Sequence, residues 1–489
     1  MTDLYRRLGL CFALFFGTGL TAAAATPTPS RATMPGHVGA SMRDQAIDLT
    51  LSDAIYLGLR NNRAIHSAYL QRIAQKFDLR VAQDQFTPTL VLSSRYLASR
   101  NQSDGVRQAE LTPTTTLLTE IGTRLSLSWS NQSTQANQGG RVRNDGANFT
   151  LIQPLLRGAG QEVATAPMRL ARLSEQINRL SLKATVSRTI TDIARAYREL
   201  LRAQEQVRIA RDALARSRQL LEVNRAMIDG GRMAEFEIVQ TEADAATQEL
   251  GVEEASNQLD ASRLELLRLL ALDLKTSLEA VDRLDTQRIE PDLAKALSAA
   301  LLQQPGYLSQ LIAVEQADIN LTVARNNRLW DLSLVGGATQ ARDRYDLHTD
   351  RRWEGYAGIQ VDIPIGDLSR RQGEVRAQVD VETQGVQLAE ARQVLERQVS
   401  DGVRDIGTRW RQYEIAQRAQ ELSQRKLDIE REKLQAGRSS NFQVLSFEAD
   451  LRNAENARLN ALIAYLNAQA ELDLTLGMTL ESWDIALND

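Results

Sequence analysis

One stretch of this chain occurs twice. Residues 231–244 read GRMAEFEIVQTEAD and residues 437–450 read GRSSNFQVLSFEAD. Gly, Arg, Phe, Glu, Ala and Asp coincide without a gap, and Ile238-Val239 faces Val444-Leu445. Upstream, Val81-Ala82 ahead of Thr89-Leu90-Val91-Leu92 matches Val323-Ala324 ahead of Asp331-Leu332-Ser333-Leu334. A period of about two hundred residues is too long for a solenoid unit and marks a duplicated half-protein. Two quasi-equivalent halves suggest a ring, a barrel or a pore.

Composition narrows the fold. Aromatic residues make up 5% of the chain and charged residues 25%, with Ala, Leu, Gln, Arg and Glu filling long tracts, as in long helices and coiled coils. The net charge of -4 has both signs interspersed, so no basic footprint for nucleic acid is present. At the N-terminus, Arg6-Arg7, an apolar run over 8–20 and Ala22 to Ala25 read as a cleaved export signal over 1–25. The only cysteine, Cys11, lies inside it and is not placed for lipidation. The mature chain therefore has no disulfide and no thiolate site. Beyond the signal no run of eighteen apolar residues occurs, so the protein is either soluble and exported or crosses a membrane as strands.

Prolines punctuate the rest of the chain. Residues 26–48 are rich in Pro, Thr, Ser and Ala and form a linker or arm. No proline occurs between Met168 and Glu290, or after Pro364. An interior proline costs a helix about 3 kcal/mol, so long helices can occupy these tracts. Val186, Ile190, Ile193, Tyr197, Leu200 and Val207 repeat at helical spacing, as do Phe236, Val239, Ala243, Ala246 and Leu250 after the Gly230-Gly231 break. Val403, Ile406, Trp410 and Tyr413, then Phe442, Leu445 and Ala449, repeat the spacing in the second half. These are coiled-coil seams. Each half therefore holds a helical hairpin, over 161–273 and 368–478, with the Gly-Arg motif at its tip. Shorter helices open each half, with breaks expected near Asn61-Asn62 and at Pro305.

Strand-like segments lie between the short and long helices. Leu125, Leu127 and Trp129 alternate with Ser126, Ser128 and Ser130; Ala147, Phe149 and Leu151 alternate with Asn148 and Thr150. Ala357, Ile359, Val361 and Ile363 oppose Tyr356, Gly358, Gln360 and Asp362. The dyad suits either a half-buried sheet or a transmembrane barrel with a wet lumen. Tyr96, Trp129, Trp353 and Tyr356 are candidates for an interfacial belt. Repeat 1 spans 49–285, with strands over about 89–153; repeat 2 spans 286–489, with strands over about 331–365. Both hairpins must lie on one side, so each half crosses an even number of times. The second half shows two strands. The first shows three, over 89–98, 122–130 and 147–153, so either one does not cross or a fourth is hidden, with 112–118 the candidate for the hidden or folded-over piece. About four membrane strands per chain cannot close a barrel, and an open edge in lipid is costly, so several copies must share one.

This pattern resembles the TolC-like outer-membrane efflux (channel-tunnel) family across essentially the whole mature chain. The resemblance rests on the duplicated half, the Pro88-Thr89-Leu90 junction and the strand end Gln153-Pro154-Leu155-Leu156-Arg157-Gly158. The counterpart Asp362-Ile363-Pro364-Ile365, the tip glycines and the endings Leu269-Leu270-Ala271 and Leu476-Gly477 add to it. It implies a mainly helical homotrimer: a twelve-strand barrel through outer-membrane lipid and a helical barrel across the periplasm. It also implies tips that meet a periplasmic adaptor (membrane fusion protein) of an inner-membrane transporter. The expected function is a passive efflux duct for small molecules. The alternatives are the duct of a type I protein-secretion system or, from another class, a soluble periplasmic coiled-coil adaptor or scaffold.

The candidate contact and gate residues are Gly231, Arg232, Glu237 and Gln240 at the first tip, and Gly437, Arg438, Gln443 and Ser446 at the second. Some relatives carry acidic rings where this chain has Gln443 and Ser446, so cation block by such rings is doubtful here. Arg232 and Arg438 either bond an adaptor or cap the preceding helix carbonyls. Glu242, Asp244, Glu448 and Asp450 read as a solvated helix face. His37, His66 and His348 make no ligand spacing, and no triad, phosphate loop or HExxH motif occurs. No catalytic, cofactor or metal site is expected.

Overall fold

The computed structural model describes residues 47–487 except 101, 103–104, 138–139 and 346–347; the signal and most of the arm lie outside the described residues. The chain enters through β1 (Ile47–Leu49), which pairs in parallel with β6 (Leu278–Ala280). Helix α1 (Leu51–Asn61) starts in a capping box between Thr50 and Asp53. Asn62 ends α1 and begins α2 (Arg63–Asp84): its Oδ1 accepts from Ala64 N and Ile65 N, while Nδ2 donates to Leu269 O at 2.8 Å. The expected break is therefore a cap tied to the end of a distant helix. The second half opens in the same manner. Asp292 caps α6 (Leu293–Gln303), and Gln304 with Pro305 restarts the chain as α7 (Pro305–Asn327).

The long helices fill the proline-poor tracts. A short helix α3 (Gln161–Ala164) leads into α4 (Ala166–Asp229), whose 64 residues rise about 96 Å. It returns as α5 (Glu237–Leu269). The second hairpin is α8 (Leu368–Gln435) and α9 (Asn441–Leu476), followed by the short α10 (Thr479–Ser482). Toward the tips the helices stand in the order α5, α4, α9, α8; toward the sheet the order is α2, α4, α7, α8. The seam Val186, Ile190, Ile193, Tyr197, Leu200 and Val207 is buried as expected. Tyr197 Oη donates to Leu49 O of β1 (2.8 Å), and Tyr465 Oη donates to Gln287 O of the inter-repeat chain (3.0 Å).

Among the described residues the sheet has six strands, in the order β2 (Thr89–Arg100), β3 (Gly105–Leu118), β4 (Arg124–Ala136), β5 (Gly140–Pro154), β7 (Asp331–Arg344), β8 (Thr349–Asp362). All neighbours are antiparallel. Four of these strands belong to the first half and two to the second, an even number in each. The count of about four per chain rises to six. The strand that pattern reading reduced to 112–118 is β3, which carries Pro113. A proline cannot donate to a ladder, and the β3–β4 pairing is interrupted there, between Leu111↔Asn131 and Thr114↔Ser128.

Register separates the two faces. One cross-strand row holds Leu127, Phe149, Ala338 and Gly355; the next holds Trp129, Ala147, Gln340 and Trp353. The opposite face holds Thr114, Ser128, Asn148 and Thr339 in one row, and Thr116, Ser126, Thr150 and Gly337 in another. Trp129 and Trp353 therefore share a face and a level. Tyr356 does not join them: it lies opposite Gly337 on the hydroxyl face, where its ring comes within 2.6 Å of the position a Cβ on Gly337 would take.

Candidate functional site at the hairpin tips

The two tips are built alike. After α4 the chain reverses through Gly231, with φ +67°, and after α8 through Gly437, with φ +70°. Arg232 N donates to Met227 O and Arg438 N to Lys433 O, both at 2.8 Å; Gly231 N and Gly437 N reach Ile228 O and Leu434 O. This is a Schellman closure in both copies, which needs a left-handed residue. A Cβ at either glycine would meet nothing within 4 Å, so the demand is on the backbone alone. Capping of the helix ends thus falls to backbone amides. The guanidinium groups of Arg232 and Arg438 are exposed and make no hydrogen bond or ion pair among the described residues.

The remaining tip candidates are not brought together within one chain. Gln240 is exposed, and Glu237, Gln443 and Ser446 are half-buried, without side-chain hydrogen bonds to one another. What meets near the tips is a set that pattern reading missed. Asn224 of α4, Thr241 of α5 and Asn441 of α9 are fully buried. Asn224 Nδ2 donates to Thr241 Oγ1 (2.7 Å) and Asn441 Oδ1 (2.8 Å), and Asn441 Nδ2 donates to Thr241 Oγ1 (2.8 Å). This triad ties the first hairpin to the second. Beside it Leu220, Leu427, Leu434, Val444 and Leu451 form a small apolar core.

An ionic cluster lies higher on the same helices. Arg216 Nε donates to Glu448 Oε2 (2.8 Å), Arg431 also binds Glu448, and Arg216 Nη2 lies 3.5 Å from Glu455 Oε2. Burial raises the pKa of the Glu455 carboxyl, against the opposing charges of Arg216 and Arg208. Glu448 is 11% exposed and Asp244 accepts from Ser217 Oγ at 2.6 Å, so these two acids bridge helices rather than coat a solvated face. Glu242 and Asp450 do lie in the open, paired with Arg225 (3.4 Å) and Lys426 (2.9 Å). Arg225–Glu242 and Arg431–Glu448 occupy equivalent places in the two copies of the repeat. Identical charges are thus exposed in one hairpin and enclosed in the other.

The long helical hairpin array carrying an amphipathic antiparallel sheet is a fold shared with outer-membrane channels of known structure. Residues 296–478 match the family model described as outer membrane efflux protein. Among solved structures, the CmeC outer membrane channel of Campylobacter jejuni superposes with a TM-score of 0.68 at 15% identity, over 88% of this chain and 86% of that one. VceC, an outer membrane protein of Vibrio cholerae, gives 0.68 at 16% identity over 87% and 96%. The open state of the MtrE outer membrane channel of Neisseria gonorrhoeae gives 0.67 at 16% over 88% and 89%. No curated protein sequence matches the chain. The resemblance to outer-membrane efflux channels thus holds in sequence over 296–478 and in fold over nearly the whole described chain.

Proposed function

We infer that this chain is one protomer of a three-copy outer-membrane exit duct. It passively conducts small molecules delivered by an inner-membrane transporter through a periplasmic adaptor. The observation that carries this reading is that both edges of the chain are unfinished over its whole length. Among the described residues β2 is bonded only to β3, and β8 only to β7. Unpaired amides in hydrocarbon cost several kcal/mol each, so two edges of 12 and 14 residues require partners. β2 leaves the helices and β8 returns to them, so β2 of one copy and β8 of the next are antiparallel and can close a head-to-tail ring.

The helices below share those edges. Ile73, Phe77 and Val81 form an exposed stripe on α2; Leu368, Val375, Val379 and Val386 form one on α8. Nearer the tips the seam Phe236, Val239, Ala243, Ala246 and Leu250 is exposed along α5, and Ile415, Leu422 and Ile429 are exposed on α8. Such seams are stable only against another helix. The number three follows the family resemblance. The face with Leu127, Phe149, Trp129 and Trp353 meets lipid, the hydroxyl face lines the lumen, and the free Arg232 and Arg438 side chains are offered to the adaptor. Residues 1–25 are removed on export, near Ala25, without lipidation.

Fractionation with and without detergent tests the class: recovery in the soluble periplasmic fraction would refute it. Cysteine pairs placed between β2 and β8 should then form covalent multimers up to three copies. Crosslinks confined within single chains would refute ring closure.

A further inference from the structure

The two repeats do not carry the same number of strands. Both open alike, Thr89-Leu90-Val91-Leu92 and Asp331-Leu332-Ser333-Leu334 leading β2 and β7 away from a helix. Both close alike, Gln153-Pro154-Leu155 and Asp362-Ile363-Pro364 returning β5 and β8 toward a long helix. Repeat 2 travels out and back once. Repeat 1 does so twice, because β3 and β4 stand between β2 and β5.

The additional pair is part of the wall. β3 bonds β2 from Thr89↔Thr116 to Arg100↔Gly105, and β4 bonds β5 from Arg124↔Ile152 to Ala136↔Gly140. The turn joining them is fixed at the helical rim. Thr119 N donates to Thr123 O (2.9 Å), and Thr123 Oγ1 donates to Gln153 Oε1. Gly122 has φ +91°, and a Cβ there would lie 2.3 Å from Gly158 O. Both faces of the sheet also continue unbroken through the pair. Leu117, Leu125 and Leu151 share one row on the apolar side, and Thr114, Ser128 and Asn148 share one on the other.

We propose that β3 and β4 widen the wall, so that three copies close an eighteen-strand barrel, six strands from each, rather than the twelve-strand barrel the family resemblance implies. This rests on the three-copy duct reading. Wall width supports it independently. The four helices next to the sheet, at about 8–10 Å spacing, occupy about 32–40 Å of circumference. Six strands about 4.8 Å apart and tilted by about 40° occupy about 38 Å, whereas four would occupy about 25 Å. With six strands the sheet continues the helical wall at constant bore.

Barrel diameter grows nearly linearly with strand number, so eighteen strands give a lumen about 1.5-fold wider than twelve, in the range of open aqueous pores. The rows through Ser126, Ser128 and Ser130 hold hydroxyl, amide and small side chains on β3, β4, β5 and β7, with Tyr356, Glu354 and Arg352 on β8. Glu110, Asp343 and Asp350 charge the next row outward, and Arg124 lies at the helical end of the same face. The cargo such a barrel suits is a bulky, hydrated polar solute, with selection left to the tips.

Single-particle cryo-electron microscopy of the detergent-extracted full chain should find three copies and eighteen strands. Three copies with twelve strands would overturn the inference and leave the duct reading standing. A two-copy ring would overturn the inference, and a particle of one copy would overturn the duct reading itself. Deleting Gly105–Ala136 joins β2 to β5, which remain antiparallel. Polyethylene glycols added on the outer side of a planar bilayer probe the mouth without passing the tips. The excluded polymer radius should fall about 1.5-fold in the deletion variant, and an unchanged cut-off would overturn the inference.

Discussion

Thr241→Val is the sharpest probe of the tips. Valine has the shape of threonine, so the substitution creates no cavity and removes one oxygen. That oxygen accepts from both Asn224 Nδ2 and Asn441 Nδ2 in a fully buried site. Asn224 Nδ2 keeps Asn441 Oδ1 at 2.8 Å. Asn441 Nδ2 keeps only the Glu237 carbonyl at 3.5 Å, which is too long for a good bond. One donor is therefore left nearly unsatisfied, at a cost of about 1–3 kcal/mol. The loss falls on the contact between hairpins, because Asn224 and Thr241 belong to the first and Asn441 to the second. Local opening of the tips should rise about 5- to 150-fold, since about 1.4 kcal/mol is a factor of ten. Amide hydrogen exchange of α9 residues 444–448 measures this directly. Channel recordings should show a matching rise in open probability if parting of the hairpins is the gating motion. Unchanged exchange would refute the reasoning, because it would mean that the triad is not what holds the hairpins together.

The same geometry sets other expectations. Gly437→Val should weaken the second tip by about 1–2 kcal/mol, the cost of a left-handed residue with a Cβ, whereas Gly437→Asn should cost less. Equal effects of the two in exchange at residues 433–443 would contradict a backbone origin. Glu448→Gln should lower thermal stability by up to about 3 kcal/mol, because two arginines lose a partly buried partner; an unchanged melting temperature would show that the cluster is idle. Glu455→Gln should be neutral or stabilising at pH 7. Burial holds the Glu455 pKa above its unfolded value, so the folded state binds the extra proton and stability rises as pH falls through the folded pKa toward the ordinary carboxylate range. The variant should flatten that rise, and a large destabilisation at neutral pH would contradict the sign.

Much of the architecture was legible in the chain because its determinants are local. The repeat around Gly231 and Gly437 marks two reversals, and only a residue free to take positive φ closes a helix in this way. Asn62 and Pro305 interrupt helices through their own side chains. Leu125, Leu127 and Trp129 alternate with serines because a strand turns successive residues to opposite faces. Tertiary structure decided what depends on distant partners. Only part of β3, 112–118, stood out by pattern, yet pairing with β2 and β4 holds all of Gly105–Leu118 as a strand. The carboxylates of Glu242 and Glu448 are the same in sequence; one is solvated and the other enclosed, because only the second faces Arg216 of the other hairpin. Asn224 and Asn441 are ordinary helix-surface residues until packing buries them against Thr241. The seam from Phe236 to Leu250 was visible as a pattern, but its exposure was not. Periodicity states that an apolar face must be covered, and only the fold shows that no described residue of this chain covers it.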